Sequence, residues 1–330
     1  MKKVIISIIL SIFLIFTMVG CGADGLDYQG AYWHENSTGF IGFNETNVYS
    51  VEVVSSKPSL STEIKNEYVK LEIEKGEYVT NLKMLKNEEY GNYYVYTTTL
   101  DIKGKYVFET QEYAFEDVVV TETLFNGFSK DFSPISSKKT STNSTTLLAT
   151  STGYDIVKAS YEFIVEYGEK DATISRTIRN SLEEETKDQT IIKKYAKDNY
   201  IDNELLFLMP RAFKYDTAFT KNFNTIDAVD KRNISMYFTT ANDKNGITVS
   251  TFNTNYELNG APASDKDSLQ AIMFSIGIDD TFKGRNIDAY YLIDQKTHKH
   301  KMLCTYTYLN DNLGYLKYSL VKSTDKTQIN

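Results

Sequence analysis

The stretch that decides the fold class is Tyr161-Glu162-Phe163-Ile164-Val165-Glu166-Tyr167. Aromatic and apolar residues occupy every second position on one face, and the two glutamates stand on the other. A period of two is typical of a β-strand with one buried face and one solvated face. We therefore expect Tyr161 and Phe163 to lie side by side on the buried face of a sheet.

The same alternation recurs along most of the chain, in runs rich in Tyr, Thr, Val, Ile and Phe. Short turn-like segments separate these runs, including Lys103-Gly104 and residues 168–171, 242–246 and 310–314. Short hairpins join antiparallel neighbours, whereas parallel strands need longer crossovers. The sequence therefore predicts an all-β, antiparallel fold: a curved sheet, a half-open barrel or a sandwich, with one or two short helices.

The first 20 residues predict a bacterial lipoprotein signal peptide. Two lysines precede an apolar stretch over residues 4–18, which is shorter than the about 20 residues of a membrane-spanning helix. The following Met18-Val19-Gly20-Cys21 resembles a lipobox, and in that case the thiol of Cys21 is acylated. Residues 21–31 are then a lipidated tether, and the lipid is the link to the membrane. The alternative is an ordinary secretory signal with an incidental cysteine.

Composition indicates where the chain acts and excludes one class of partner. The signal predicts the extracytoplasmic face of a bacterial membrane, and the excess of lysine over arginine is typical of a low-G+C, Gram-positive organism. The formal net charge is −8. A nucleic-acid binder needs a basic face to neutralise phosphates, so we expect no nucleic-acid partner.

The sequence contains none of the standard motifs of catalysis or cofactor binding, such as a nucleotide-binding glycine loop or a Gly-x-Ser-x-Gly elbow. Three histidines and two cysteines are too few for multi-histidine or zinc sites. His298 and His300 are interpreted as part of an exposed turn, and Cys304 as a buried, inert residue. We therefore expect a non-enzymatic protein without catalytic residues, metal or cofactor.

One apolar segment interrupts the strands. Asp202 is a candidate N-cap, residues 205–209 are all apolar, and Pro210 follows. This pattern predicts a short helix over 203–209, either a plug in the core or a lid over a cavity. All-round apolarity favours burial, and therefore the plug.

A second unusual segment is residues 133–152, where 12 of 20 residues are Ser or Thr. This composition predicts a solvated mobile loop, and the less favoured alternative is a gating loop over a pocket.

From residue 103 onward, the order of elements resembles the LolA-like group of periplasmic lipoprotein-binding folds. The resemblance implies a half-open antiparallel β-barrel with short helices across an apolar concave face. It divides the mature chain into an N-terminal β region, 32–102, and a LolA-like β region, 103–330. The matching stretches are Gly104-Lys105-Tyr106-Val107-Phe108, Phe132-Ser133-Pro134, the 161–178 hairpin, the apolar helix, and the strands near 289–294, 302–308 and 315–320.

The aromatic content, with 25 tyrosines and 18 phenylalanines, is typical of a β core, and it can also line an apolar groove or a carbohydrate platform. The leading hypothesis is a surface lipoprotein that holds an acyl chain, a lipoprotein or a hydrophobic peptide in an aromatic-lined β groove. The alternatives are an adhesion, glycan-binding or structural lipoprotein, and a hydrolase with scattered acidic residues. The candidate ligand-binding residues are Tyr161, Phe163, Leu205, Phe207, Leu208, Met209, Tyr306 and Tyr308.

Overall fold

The computed structural model describes residues 44–108, 111–126, 133–150, 153–180, 184–193, 200–212, 220–240, 242–243, 246–264, 268–277, 285–292 and 300–326. The predicted signal peptide, Cys21, the tether and His298 lie outside these residues. Within the described ranges, no helix has the length and apolarity needed to cross a membrane.

The first half of the described chain forms eight long strands. They are β1 (Asn44–Val54), β2 (Val69–Asn87), β3 (Gly91–Phe108), β4 (Gln111–Asn126), β5 (Ser133–Thr150), β6 (Gly153–Tyr167), β7 (Asp171–Asn180) and β8 (Glu185–Lys193).

The second half contains shorter strands and three 3₁₀ turns, Asn203–Leu205, Met209–Ala212 and Asn310–Asn312. The strands are β9 (Thr220–Asp227), β10 (Arg232–Thr240), β11 (Asn242–Asp243), β12 (Gly246–Ile247), β13 (Val249–Phe252), β14 (Glu257–Leu258), β15 (Ala261–Pro262), β16 (Leu269–Gly277), β17 (Ile287–Leu292), β18 (Lys301–Leu309) and β19 (Gly314–Asp325).

The main strands form one curved, antiparallel sheet. From β2 to β8, each strand pairs with the next along the chain. β1 joins β2 to β19, and β18, β17 and β16 continue the sheet in that order. β10 and β13 share the free side of β16, and β9 pairs with β10. The prediction of an all-β, antiparallel fold is confirmed.

The sheet curves until side chains of its two end strands, β8 and β9, pack in one cluster, but among the described residues no backbone ladder joins these strands. Asp188 on β8 accepts from Arg176 at 2.7 Å and from Lys231, just after β9, at 3.2 Å. Tyr200 and Ile226 pack in one small core cluster with side chains of β6 and β7. Side chains therefore close the seam that the backbone leaves open.

The predicted helix over 203–209 is two separate 3₁₀ turns, although its start is as expected. The carboxylate of Asp202 accepts a hydrogen bond from the backbone N–H of Glu204 at 2.9 Å, which confirms the N-cap. The backbone bonds then span three residues, as in Leu208 N–H to the Leu205 carbonyl. Pro210 has no N–H to continue an α-helix, and so short a segment gains little from helix nucleation.

The Ser/Thr-rich segment is strand β5, so the prediction of a loop over 133–152 is wrong for residues 133–150. Threonine is β-branched and favours strands, and the neighbouring strand β4 satisfies some of the hydroxyl groups of this segment. Ser141 donates to the Val118 carbonyl at 2.9 Å, and Thr145 donates to Asp117 at 2.8 Å. The polar composition suggested exposure to solvent, whereas the hydroxyl groups of Ser141 and Thr145 bond to the neighbouring strand.

The expected turn at Lys103-Gly104 is also wrong, because β3 runs straight through it. A Cβ on Gly104 would lie 2.2 Å from the Glu72 carbonyl oxygen. The glycine therefore permits close approach of β2 and not a change of direction. The proposed boundary between residues 102 and 103 falls inside this strand, so the sheet is continuous across it.

Of two residues at β18, the burial of Cys304 is as predicted and that of His300 is not. Cys304 is buried, as expected, and burial raises the pKa of its thiol to about 12. His300, expected in an exposed turn, is 5% exposed and therefore buried. Its backbone carbonyl accepts a hydrogen bond from the Arg211 guanidinium at 2.5 Å, which is why this end of the strand is covered.

A buried charge cluster joins the 3₁₀ segment to the sheet. Glu45 on β1 accepts two hydrogen bonds from Arg211, at 2.7 and 3.0 Å, and one from Lys301 on β18. Burial alone would raise the pKa of Glu45, but Arg211 and Lys301 outweigh it and hold the pKa well below its usual range. The cluster therefore connects β1, β18 and the 3₁₀ segment.

Removing the carboxylate should be strongly destabilising. We expect Glu45→Gln to lower the free energy of unfolding by about 3–5 kcal/mol, because Arg211 and Lys301 would stay buried without a counter-charge. Denaturant unfolding of the two proteins measures the loss. The matched control is Glu52→Gln, which breaks an exposed pair with Lys317 and should cost less than about 1 kcal/mol.

The contribution of Glu45 to the free energy of unfolding should decrease at acidic pH. Because the pKa of Glu45 is lowered by folding, its stabilisation is complete above the unfolded pKa of about 4.3 and declines as the pH falls below it. The Gln variant should lack this part of the acid sensitivity. Equal losses for Glu45→Gln and Glu52→Gln would contradict the role given to the cluster.

Candidate functional site

The 3₁₀ segment, residues 200–212, is here called the plug. Three of its predicted ligand-binding residues, Leu205, Leu208 and Met209, are at most 1% exposed and belong to the main core. Phe207 is half-buried, with its ring 6.2 Å from that of Tyr318 on β19. Between the two predicted interpretations, plug and lid, this burial favours the plug.

Tyr161 and Phe163 lie beside the plug. Their rings stack with centroids 4.6 Å apart, and Phe163 is directly opposite Lys139 on β5. Lys139 forms an ion pair with Glu204 of the plug at 3.1 Å. The face shared by Tyr161 and Phe163, predicted from alternation, is therefore the inner face that the plug covers.

Tyr306 and Tyr308 lie on the opposite face of the sheet. Tyr291 of β17 donates its hydroxyl proton to the Phe207 carbonyl at 2.8 Å, so it faces the plug. The next residue back, Tyr290, faces the other way by alternation, and it contacts the ring of Tyr306. The structure thus brings six of the eight candidate residues together and leaves Tyr306 and Tyr308 apart from them.

The outer face of β9, β10, β16 and β17 forms a polar pocket of about 380 Å³. This volume lies within the about 300–1,000 Å³ of ordinary ligand sites. The lining residues are Ser59, Thr220, Asn222, Tyr237, Thr239, Thr240, Met273, Ser275, Asn286 and Asp288.

Strand alternation produces this pocket. On β10, Met236 and Phe238 enter the core, while Tyr237 and Thr239 point to the other face. Register then aligns polar residues across neighbouring strands. One row, from β9 to β17, is Thr220, Thr239, Ser275 and Asp288, each directly opposite the next.

A second row of facing residues, Tyr237 and Gly277, explains how the pocket has room for its wall. Gly277 of β16 stands opposite Tyr237. A Cβ on this glycine would lie 2.5 Å from the amide oxygen of Asn286 and 2.7 Å from the hydroxyl of Tyr237. The Asn286 amide donates to that hydroxyl at 2.8 Å and to Ser275 at 3.3 Å. The absence of a side chain at Gly277 therefore lets this hydrogen-bonded wall form.

A buried ion pair between Lys57 and Asp288 lies at the floor of the pocket. The ammonium group of Lys57 donates to Asp288 at 3.0 Å and to the Asn286 carbonyl at 2.8 Å. The side chains of Lys57 and Asp288 are 1% and 2% exposed. Burial raises the pKa of Asp288, and the attraction of Lys57 together with a hydrogen bond from Ser59 opposes this rise.

The rim of the pocket is open to solvent, because Ser59, Thr220 and Asn222 are exposed while Thr240, Asn286 and Asp288 are buried. Nine of the ten lining residues carry a polar side chain. Such a surface suits a hydroxyl-rich ligand better than an acyl chain, which needs a mainly apolar wall.

Among the described lining residues, Asp288 provides the single carboxylate. Glycoside hydrolysis ordinarily requires two carboxylates across the scissile bond. Asp288 also already accepts hydrogen bonds from Lys57 and Ser59. The carboxylate of Asp288 is therefore held by two donors at the base of the pocket.

An exposed aromatic group at the tip of the β3–β4 hairpin is not a flat platform. The rings of Phe108 and Tyr113 meet at 85°, and those of Phe108 and Tyr154 at 50°. Sugar stacking on several rings at once requires coplanar faces. The polar pocket is therefore the better candidate site in the described part of the chain.

Comparisons with known proteins give little information on function. No protein-family model matches the chain, and no curated protein is similar to it. Among solved structures, it is similar to a β-barrel-like protein of a domain of unknown function, DUF1849, from Brucella abortus. The identity is 9% and the TM-score 0.43, over 87% of this chain and 99% of the other. A likeness this low carries no functional argument.

Proposed function

We propose that the chain is a non-enzymatic, lipid-anchored protein of the bacterial cell surface that binds a carbohydrate-class ligand in the outer polar pocket. The observation that carries the proposal is the row of hydroxyl and carboxylate side chains across β9, β10, β16 and β17. Converging donors and acceptors in a concave site are the usual basis of recognition for small polar ligands.

The anchor part of the proposal rests on the sequence around Cys21. A lipid at this position would hold the sheet at the outer surface of the cell membrane of a Gram-positive cell, where glycans are abundant. The predicted tether, residues 21–31, would then link this lipid to the rest of the chain.

A hydrophobic ligand under the plug remains a second proposal. The observation that favours it is the inner face itself, where aromatic residues of several strands surround an apolar segment. An acyl chain, a lipoprotein segment or a peptide could occupy this face only if the plug left it. Arg211, Glu204 and Asp202 all bind groups of the sheet and oppose that movement.

The anchor can be tested in cells. We expect Cys21→Ser to abolish acylation and to release the protein from the membrane fraction into the medium, because the thiol is the only group that the lipid would modify. Metabolic labelling with an alkyne fatty acid and cell fractionation measure both effects. A Cys304→Ser variant, altered at the buried thiol, should remain labelled. Acyl labelling of Cys21→Ser would show that the lipobox assignment is wrong.

The pocket can be tested by filling its mouth. Asn222→Trp places an indole at the exposed rim without changing a core residue, and we expect it to weaken glycan binding at least about tenfold by steric exclusion. A glycan array with the full chain identifies binding glycans, and titration calorimetry of the best one measures the change.

The matched control is Asn233→Trp, which adds the same indole to an exposed position of β10 outside the pocket lining. This variant should bind as the wild type does. The proposal fails if the wild-type chain binds no glycan on the array, or if the two tryptophan variants bind equally well.

A further inference from the structure

We infer that the pocket selects uncharged saccharides, recognised by two neighbouring hydroxyl groups that donate to Asp288, and rejects their acidic counterparts. This inference rests on the proposed function and specifies its ligand class. It is carried by the one charged side chain among the described lining residues, Asp288, and by the groups to which Lys57 beside it donates.

The carboxylate of Asp288 has capacity left for a ligand. An ionised carboxylate accepts about four hydrogen bonds. Lys57 occupies one position on Oδ1, and Ser59 occupies one on Oδ2. With these donors from the described part of the chain, each oxygen keeps a lone pair, and two vicinal hydroxyls of a sugar ring match such a pair of acceptors. Hydrogen bonds to an ionised acceptor are stronger than neutral ones.

Lys57 does not offer its charge to the ligand. Its ammonium group donates to the Asn286 carbonyl and to Asp288, and it lies 5.5 Å from the centre of the Tyr315 ring. Lys57 is also not among the lining residues. An acidic ligand would therefore meet the carboxylate of Asp288 directly, whereas Lys57, which is bound to that carboxylate, would not contact the ligand, and this disfavours binding.

The rest of the lining completes recognition of a neutral polyol. Ser275 accepts a hydrogen bond from Asn286, so its own proton can be donated to a ligand oxygen. Asn222 at the rim carries both a donor and an acceptor. Tyr237 and Met273 supply the apolar surface, against which the C–H faces of a sugar ring can pack.

The experiment compares matched neutral and acidic sugars by titration calorimetry, using the full chain in detergent. The pairs are glucose with glucuronate, galactose with galacturonate, and N-acetylglucosamine with N-acetylmuramate. We expect at least one neutral member to bind, and its acidic counterpart to bind at least about tenfold more weakly. Asn222→Trp should remove the binding of the neutral member.

Two variants assign the selectivity to Asp288. Asp288→Asn alone would leave Lys57 buried without its partner, so the double variant Asp288→Asn/Lys57→Met replaces both charges. We expect it to unfold cooperatively, to bind the neutral sugar about tenfold more weakly, and to lose most of the discrimination against the acid. Asn233→Trp, at an exposed position outside the pocket lining, should bind and discriminate as the wild type does.

The outcomes separate the inference from the proposed function. If an acidic sugar binds as tightly as its neutral counterpart, and Asn222→Trp blocks both, the inference is overturned and the pocket remains a glycan site. If the folded double variant binds and discriminates as the wild type does, the inference is also overturned. If the wild-type chain binds neither these sugars nor any glycan on the array, the proposed function fails with it.

Discussion

The structure depends on filling the concave face of a sheet that its own backbone does not close. A curved antiparallel sheet buries its inner apolar face only if something occupies the concavity. Here the chain supplies residues 200–212, with Leu205 and Met209 fully buried. Arg211 then joins this segment to Glu45 on β1, in a buried pair with an N–O distance of 2.7 Å. Plug and sheet are thus one cooperative unit.

This constraint directs where a ligand can bind. The main core cluster of the described residues includes the plug and the apolar side chains of the inner face around it, which therefore stabilise the fold. The outer face of β9, β10, β16 and β17 is different, because the segment between β1 and β2 covers it incompletely. Lys57 of that segment is buried against Asp288, whereas Ser59, two residues later, is exposed at the rim. The polar pocket lies where this cover ends.

The sequence predicted what depends on local pattern. Alternation in 161–167 identified both the strand and its buried face, Asp202 was recognised as a cap, and the apolar company of Cys304 indicated burial. Local composition gave wrong predictions for residues whose role depends on a neighbouring strand. The hydroxyl groups of β5 suggested solvent, and Gly104 suggested a turn, although each fits a neighbouring strand.

The charge cluster and the pocket could not be predicted, because both depend on register between distant strands. Glu45 lies 166 residues from Arg211 and 256 from Lys301. The alternation of β10 and β16 does show that Thr239 and Ser275 avoid the core. It does not show that they stand opposite one another, or that Asp288 completes their row.

The most direct test of this account is hydrogen exchange of the plug amides, followed by mass spectrometry of the full chain. The N–H groups of Ile201, Leu205, Leu208 and Arg211 all donate to backbone carbonyls, within a buried segment. A plug that belongs to the core should exchange as slowly as β17 and β18, with or without a fluorescent acyl probe. Exchange as rapid as that of the end strand β8, or made faster by the acyl probe, would contradict the account and identify the segment as a lid.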